Sequence, residues 1–254
     1  MNCFPYERLL PIPWVSVVQK ALFFALMAFV IILPPHGRIP AAPQIQPRAL
    51  ILSSTQSQYP MQYLDRVTTE LKDAGYNTTF LSGSAITVNF LTTQLDQYDV
   101  VIWRTDTYIL GNTTYWDLGQ QGNQTTYAGA IGIKTINVEN GMLAVSADFF
   151  SNNFGPNSLS HVKLAILESS MSITIAQVLI AAGVETTIDL YKTLDAPPSL
   201  FDWVTLSLIG YLTTGSPVRD AIYKTIYNYD YVGSLDDSYL PPISFLGDGN
   251  LQVV

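Results

Sequence analysis

Hydroxyls, acids and one guanidinium recur just after short apolar runs in this chain: RALILSS ends in Ser53 and Ser54, VVIWRTD in Arg104 and Asp106, and LAILESS in Glu168, Ser169 and Ser170. If the runs are parallel strands, all of these residues arrive at one carboxyl edge, where α/β sheets place their clefts. Ser53, Ser54, Arg104 and Asp106 would then line a ligand cleft. Asp106 with Glu168 would offer a carboxylate pair for acid/base work or a cation, and Ser169 or Ser170 a hydroxyl nucleophile. A glycosidase-type pair also needs a fixed separation across the sugar. The plainer alternative is polar loop residues, with Arg104 ion-pairing an acid.

Two counts narrow the chemistry. The chain has one cysteine, Cys3, and two histidines, His36 and His161. No internal disulfide can form, no thiolate metal site is possible, and no cofactor motif or calcium-loop spacing is present. His36 sits in a proline-rich stretch, and His161 precedes its strand, at the opposite end of the sheet from the expected cleft. A Ser-His-Asp arrangement fails for want of a placed imidazole. Tyr108, Tyr115, Trp116 and Tyr127, mixed with Gly, Asn and Gln, suit either a sugar- or protein-contacting loop or loop packing.

The elements that must position these residues alternate. Residues 48–53 are a continuous apolar run, as for a strand buried on both faces. Met61, Leu64, Val67, Leu71 and Ala74 share one helical face, and Gly75 stops that helix. Strands are expected at 76–81 and 98–104, with a short helix at 88–95 between them, which implies right-handed crossovers and a parallel sheet. Asn140-Gly141 between apolar segments is a strong hairpin signal. A core strand at 162–167, a helix at 172–182, a strand at 184–191 and a helix at 200–212 follow. Ser216-Pro217 then reads as an N-cap and first position of the next helix. Residues 231–254 read as a loose C-terminal tail.

The N-terminus carries an address. Residues 21–33, ALFFALMAFVIIL, contain no polar side chain, and residues 15–33 would make about 28 Å of helix, close to the bilayer core. With Arg8 and Lys20 on its amino side, the run orients residues 1–13 inside and the rest outside. Residues 14–33 are thus expected to meet the lipid bilayer as a single-pass anchor, or as a cleaved signal that leaves a secreted product. Residues 34–47 form a proline-rich linker, and 48–230 the folded domain. Three sequons, at Asn77, Asn112 and Asn123, lie beyond the anchor and would be glycosylation acceptors there. A formal charge of −8 with no basic cluster excludes nucleic acid as a partner. Charged residues at 13% and aromatics at 12% fit a packed domain rather than a disordered chain.

The order of segments resembles the caspase-like fold, the lineage of caspases, gingipains and CHAT-domain peptidases. RALILSSTQSQYPMQYLDRVTTELKDAGYNTTFL and YDVVIWRTDT resemble its opening strands, VKLAILESSMS the strand that delivers its nucleophile loop, IAQVLIAAGVETTIDL the next helix and strand, and LFDWVTLSLIGYLTTGSPVRDAIYKT its closing helices. The resemblance implies an α/β domain with a mainly parallel sheet flanked by helices, here with an inserted β-hairpin and preceded by a transmembrane helix. It also implies a histidine after Arg104 and a cysteine after Leu167. This chain has Thr105-Asp106-Thr107 and Glu168-Ser169-Ser170 in those places. The thiolate and imidazole of that mechanism are absent, so the expectation is a pseudo-peptidase that binds an extracellular protein or glycan partner or ligand. A hydrolase using Asp106, Glu168 and Ser170 in another mechanism is one alternative; a surface structural or assembly subunit is the other.

Overall fold

The computed structural model describes residues 46–54, 61–169, 171–190, 198–232 and 243–254. Gln46–Val254 form one compact unit. The apolar run at 14–33 lies outside the described residues, as does most of the linker. Among the described residues, no helix is long and apolar enough to cross a membrane.

The chain builds a mixed α/β domain with a largely parallel six-stranded sheet. Its strands are β1 (Arg48–Ser53), β2 (Asn77–Ser82), β3 (Val100–Arg104), β8 (Leu164–Glu168), β9 (Thr186–Leu190) and β10 (Ile243–Gly247), in the order β10-β9-β8-β3-β1-β2. β2, β1, β3, β8 and β9 run parallel. β10 alone pairs antiparallel, on the outer edge of β9. The expected common sheet for the strands beginning near 48, 98 and 162 is therefore present. The expectation of a loose tail is corrected, because Ile243–Gly247 pairs with β9 and Leu251 and Val253 are buried. The Tyr76 hydroxyl donates to the Val253 carbonyl, tying that segment beneath the far side of the sheet.

Strand alternation sends the sheet's side chains into two cores. Ala49, Ile51, Val100, Ile102, Leu164 and Ile166 meet helices α1 (Met61–Asp73), α6 (Pro198–Thr213) and α7 (Val218–Val232) on one face. Leu50, Leu52, Val101, Trp103, Ala165 and Leu167 meet helices α2 (Val88–Gln94), α4 (Ala147–Asn153) and α5 (Ile173–Ala181) on the other. The predicted stripe on α1 is buried at Leu64, Val67 and Leu71.

Between β3 and β8 the chain inserts a second sheet, antiparallel, in the order β4-β5-β7-β6. Its strands are β4 (Thr107–Leu110), β5 (Thr113–Gln121), β6 (Ile136–Glu139) and β7 (Met142–Ser146), with a short helix α3 (Ala128–Gly132) before β6. The expected hairpin is its β6–β7 pair. Asn140 and Gly141 both have positive φ (51° and 80°), as a two-residue turn of that hand requires. The insert thus exceeds a single hairpin, because Thr107–Gln121 also pairs rather than looping.

β5 breaks register between Asp117 and Gln121. Within that break Gly119 has φ +76°, and a Cβ there would lie 2.7 Å from the Gly83 Cα. Gly119→Ala therefore combines left-handed strain with a backbone clash, and a loss of about 2 kcal/mol is expected in urea unfolding. Gly111→Ala has a similar φ but open space around it, and is expected to cost only about 1 kcal/mol.

Candidate functional site

The carboxyl ends of β1, β3 and β8 do converge, but they are knitted to each other by the backbone. The Ser54 amide donates to the Arg104 carbonyl at 3.1 Å, and the Thr105 amide to the Glu168 carbonyl at 3.1 Å. The Ser54 hydroxyl donates to Thr105 Oγ1 at 2.6 Å, and Thr105 in turn donates to the Asp117 carbonyl at 2.6 Å. Ser53 and Ser54 are both buried. These residues close the strand ends rather than leaving hydroxyls open.

Arg104 and Glu168 are register partners, so both side chains fall on the α1/α6 face. Glu168 Oε1 accepts from the Tyr63 hydroxyl at 2.6 Å and from Thr205 Oγ1 at 3.0 Å. Arg104 Nε lies 3.7 Å from Glu168 Oε2, and Arg104 Nη2 donates to Asp202 Oδ1 at 2.7 Å. The guanidinium also lies 4.7 Å above the Tyr63 ring. Burial pushes the Glu168 carboxyl above its ordinary value, while Arg104, Tyr63 and Thr205 pull it back. Burial and the neighbouring Glu168 raise Tyr63 well above the phenolic range, so it stays a donor. This is a buried ion-pair network: it holds Glu168 Oε1 by two hydrogen bonds and Oε2 by charge alone, since Oε2 has no hydrogen bond among the described residues.

Asp106 goes elsewhere. It is exposed, and its carbonyl accepts from the Asp117 amide at 3.0 Å. The expected Asp106–Glu168 carboxylate pair is not assembled: one acid is in solvent and the other beneath the sheet. Ser169 is buried and its hydroxyl has no partner among the described residues, while Ser170 lies outside them. His161 is exposed at the opposite end of β8, as expected.

Of the four aromatics, Tyr115 and Trp116 are buried, and Tyr108 and Tyr127, the latter just before α3, are half-buried. Trp116 is fully buried and meets the Trp103 ring edge-on, with centroids 5.0 Å apart. Tyr108 and Tyr115 stack across β4 and β5 at 5.6 Å, and Asn137 donates to the Tyr108 hydroxyl at 3.1 Å. Burial raises Tyr108 to about 12. Tyr108, Tyr115 and Trp116 are strand residues rather than an open contact loop. The sequon asparagines Asn77, Asn112 and Asn123 are all exposed.

The site that sequence reasoning missed lies one strand over. A cavity of about 550 Å³ opens beside β9 and β10, lined among the described residues by Thr114, Met171, Ser172, Ile173, Thr174, Asp189 and Ser244. Asp189 is only 2% exposed, and among the described residues its Oδ1 has no hydrogen-bond partner. Burial alone raises the carboxyl from 3.8 to about 7. The available signal was an acid inside TTIDL, an otherwise non-ionisable strand buried at every position. Among the described residues, no group of acids, His or Cys is arranged to hold a metal ion.

No family model and no curated protein matches the chain. Solved structures similar to it include a Streptococcus pneumonia TIGR4 flavodoxin, at TM-score 0.34 and 14% identity, over 64% of this chain and 94% of that one. Another is the pyridoxal kinase from Staphylococcus aureus in complex with AMP-PCP, at TM-score 0.31 and 5% identity, over 79% of this chain and 98% of that one.

Proposed function

We propose that this chain is a membrane-anchored, non-catalytic binding protein, whose extracytoplasmic α/β domain has a caspase-like layout and holds a small ligand at the carboxyl edge of its sheet. The observation that carries the reading is the contrast between the two acids at that edge. Glu168 accepts hydrogen bonds from Tyr63 and Thr205 and pairs with Arg104, whereas Asp189 lines an open cavity and its Oδ1 has no hydrogen-bond partner among the described residues. A concave, largely apolar pocket with a few convergent polar groups is the usual form of a small-molecule site. The hydrolase alternative loses support because its carboxylates are separated and, among the described residues, no imidazole stands near Ser169. The caspase-like layout rests on the segment order given above, and the anchor on residues 14–33.

The test uses the full chain in detergent micelles, screened against small polar molecules by thermal shift. A stabilising ligand should lose at least tenfold in affinity in Thr174→Phe, which crowds the cavity from an exposed position on α5. Peptide or ester turnover abolished by Ser169→Ala would instead establish an enzyme. For the address, protease added outside intact cells should remove the domain and spare residues 1–13; a protected domain would refute export.

A further inference from the structure

The Asp189 cavity combines two features that pull in opposite electrical directions. The first is the acid. Helix α5 and strand β10, packed on either side of Asp189, contain no ionisable residue. Glu168 of β8 is engaged on the opposite face of the sheet, and Asp117 of β5 lies toward Asp106 and Glu139 instead. Among the described residues no charge compensates Asp189, and burial is the one influence on its carboxyl. A buried polar atom without a partner needs an explanation, and an external donor is one.

The second feature is the amino end of α5. Ser172, Ile173 and Thr174 border the cavity and begin a helix of nine residues. Ser172 gives its helix no side-chain cap; its hydroxyl donates to the Ser169 carbonyl at 3.4 Å. Among the described residues, the Ile173 and Thr174 amides have no hydrogen-bond acceptor. Free first-turn amides and the helix dipole attract an anion.

A lone cation would be drawn to Asp189 but repelled by the helix end, and a lone anion the reverse. Both are satisfied by a molecule that carries the two charges side by side. Met171 and Ile173, each about two-fifths exposed at 43% and 41%, supply an apolar wall for the rest of it.

We propose that the cavity takes a small zwitterion of the α-amino acid type with an aliphatic side chain. Its ammonium sits against Asp189, its carboxylate at the amino end of α5, and its chain along Met171 and Ile173. The proposal rests on the binding function above and names the chemistry of that ligand.

Three probes isolate the parts: norleucine, pentylamine (the same chain without the carboxylate) and hexanoate (the same chain without the ammonium). Isothermal titration of the full chain in micelles at pH 8 should show norleucine binding, with each single-charge probe at least tenfold weaker. Asp189→Asn should weaken norleucine at least tenfold while the far-UV circular dichroism is kept. Because the ammonium needs an ionised Asp189, norleucine affinity should fall about tenfold per unit as the pH drops below about 7. Pentylamine equal to norleucine would overturn the anion half. Hexanoate binding that ignores Asp189→Asn would overturn the cation half. If all three fail while another ligand binds and is lost in Thr174→Phe, the zwitterion is wrong and the binding function stands. If no ligand of any class binds, the binding function itself falls.

Discussion

Arg104→Met will unfold this protein about 3–5 kcal/mol more easily than the parent, because it leaves the Glu168 carboxyl buried without its cation. The side chains concerned are 5% and 2% exposed, so water cannot replace the lost partner. Asp202 on α6 loses its 2.7 Å bond at the same time, which loosens the helix that also brings Thr205 to Glu168. The melting temperature should fall by about 10 °C, given a domain of this size. The companion variant Arg104→Met/Glu168→Leu removes both charges together and should recover most of that loss, since an apolar pair of similar volume often equals a buried ion pair. Urea unfolding of the three proteins decides the matter. If the double variant is no better than the single, packing rather than charge holds this corner.

Asp189→Asn should do the opposite and stabilise the protein, by a margin that grows from about pH 4 to about pH 7. The folded acid keeps its proton up to about pH 7, whereas the unfolded one releases it near 3.8. Between those values the folded state holds more protons, so the parent's stability falls as the pH rises from about 4 to about 7 and levels off above. An amide cannot ionise and escapes that fall. The expected gain is about 2–4 kcal/mol at pH 8 and near zero at pH 4, read from urea midpoints at pH 4, 6 and 8. An equal effect at all three would mean that Asp189 is already ionised at pH 4.

Most of the parallel sheet was legible because its strands are continuous apolar runs separated by one clear amphipathic helix, 61–73, and by glycine stops. The hairpin was legible because Asn140-Gly141 demands a positive-φ turn. ISFLG at 243–247 was not: it is short, follows two prolines and precedes Gly-Asp-Gly, so nothing local marks it as a strand. It becomes one because β9 offers an unpaired edge. Likewise TYIL and TTYWDLGQQ read as loop, being rich in Thr and Gln, and become strands by pairing with the hairpin. At the site, strand ends located Arg104 and Glu168 correctly. The residues that neutralise them, Tyr63, Asp202 and Thr205, come from two helices far away in sequence, a coincidence that periodicity cannot reveal. Asp189 was overlooked because its run was read as core.

The β10 edge has a bearing on how the domain is protected from self-association. Residues 243–253 supply the outer strand, the buried Leu251 and Val253, and the carbonyl that holds Tyr76. Without them the domain has an open sheet edge at β9 and an uncovered apolar floor beside Val100, Leu164 and Ile166. Detachment of this one segment would therefore turn a closed edge into an adhesive one, able to pair with a strand of another chain.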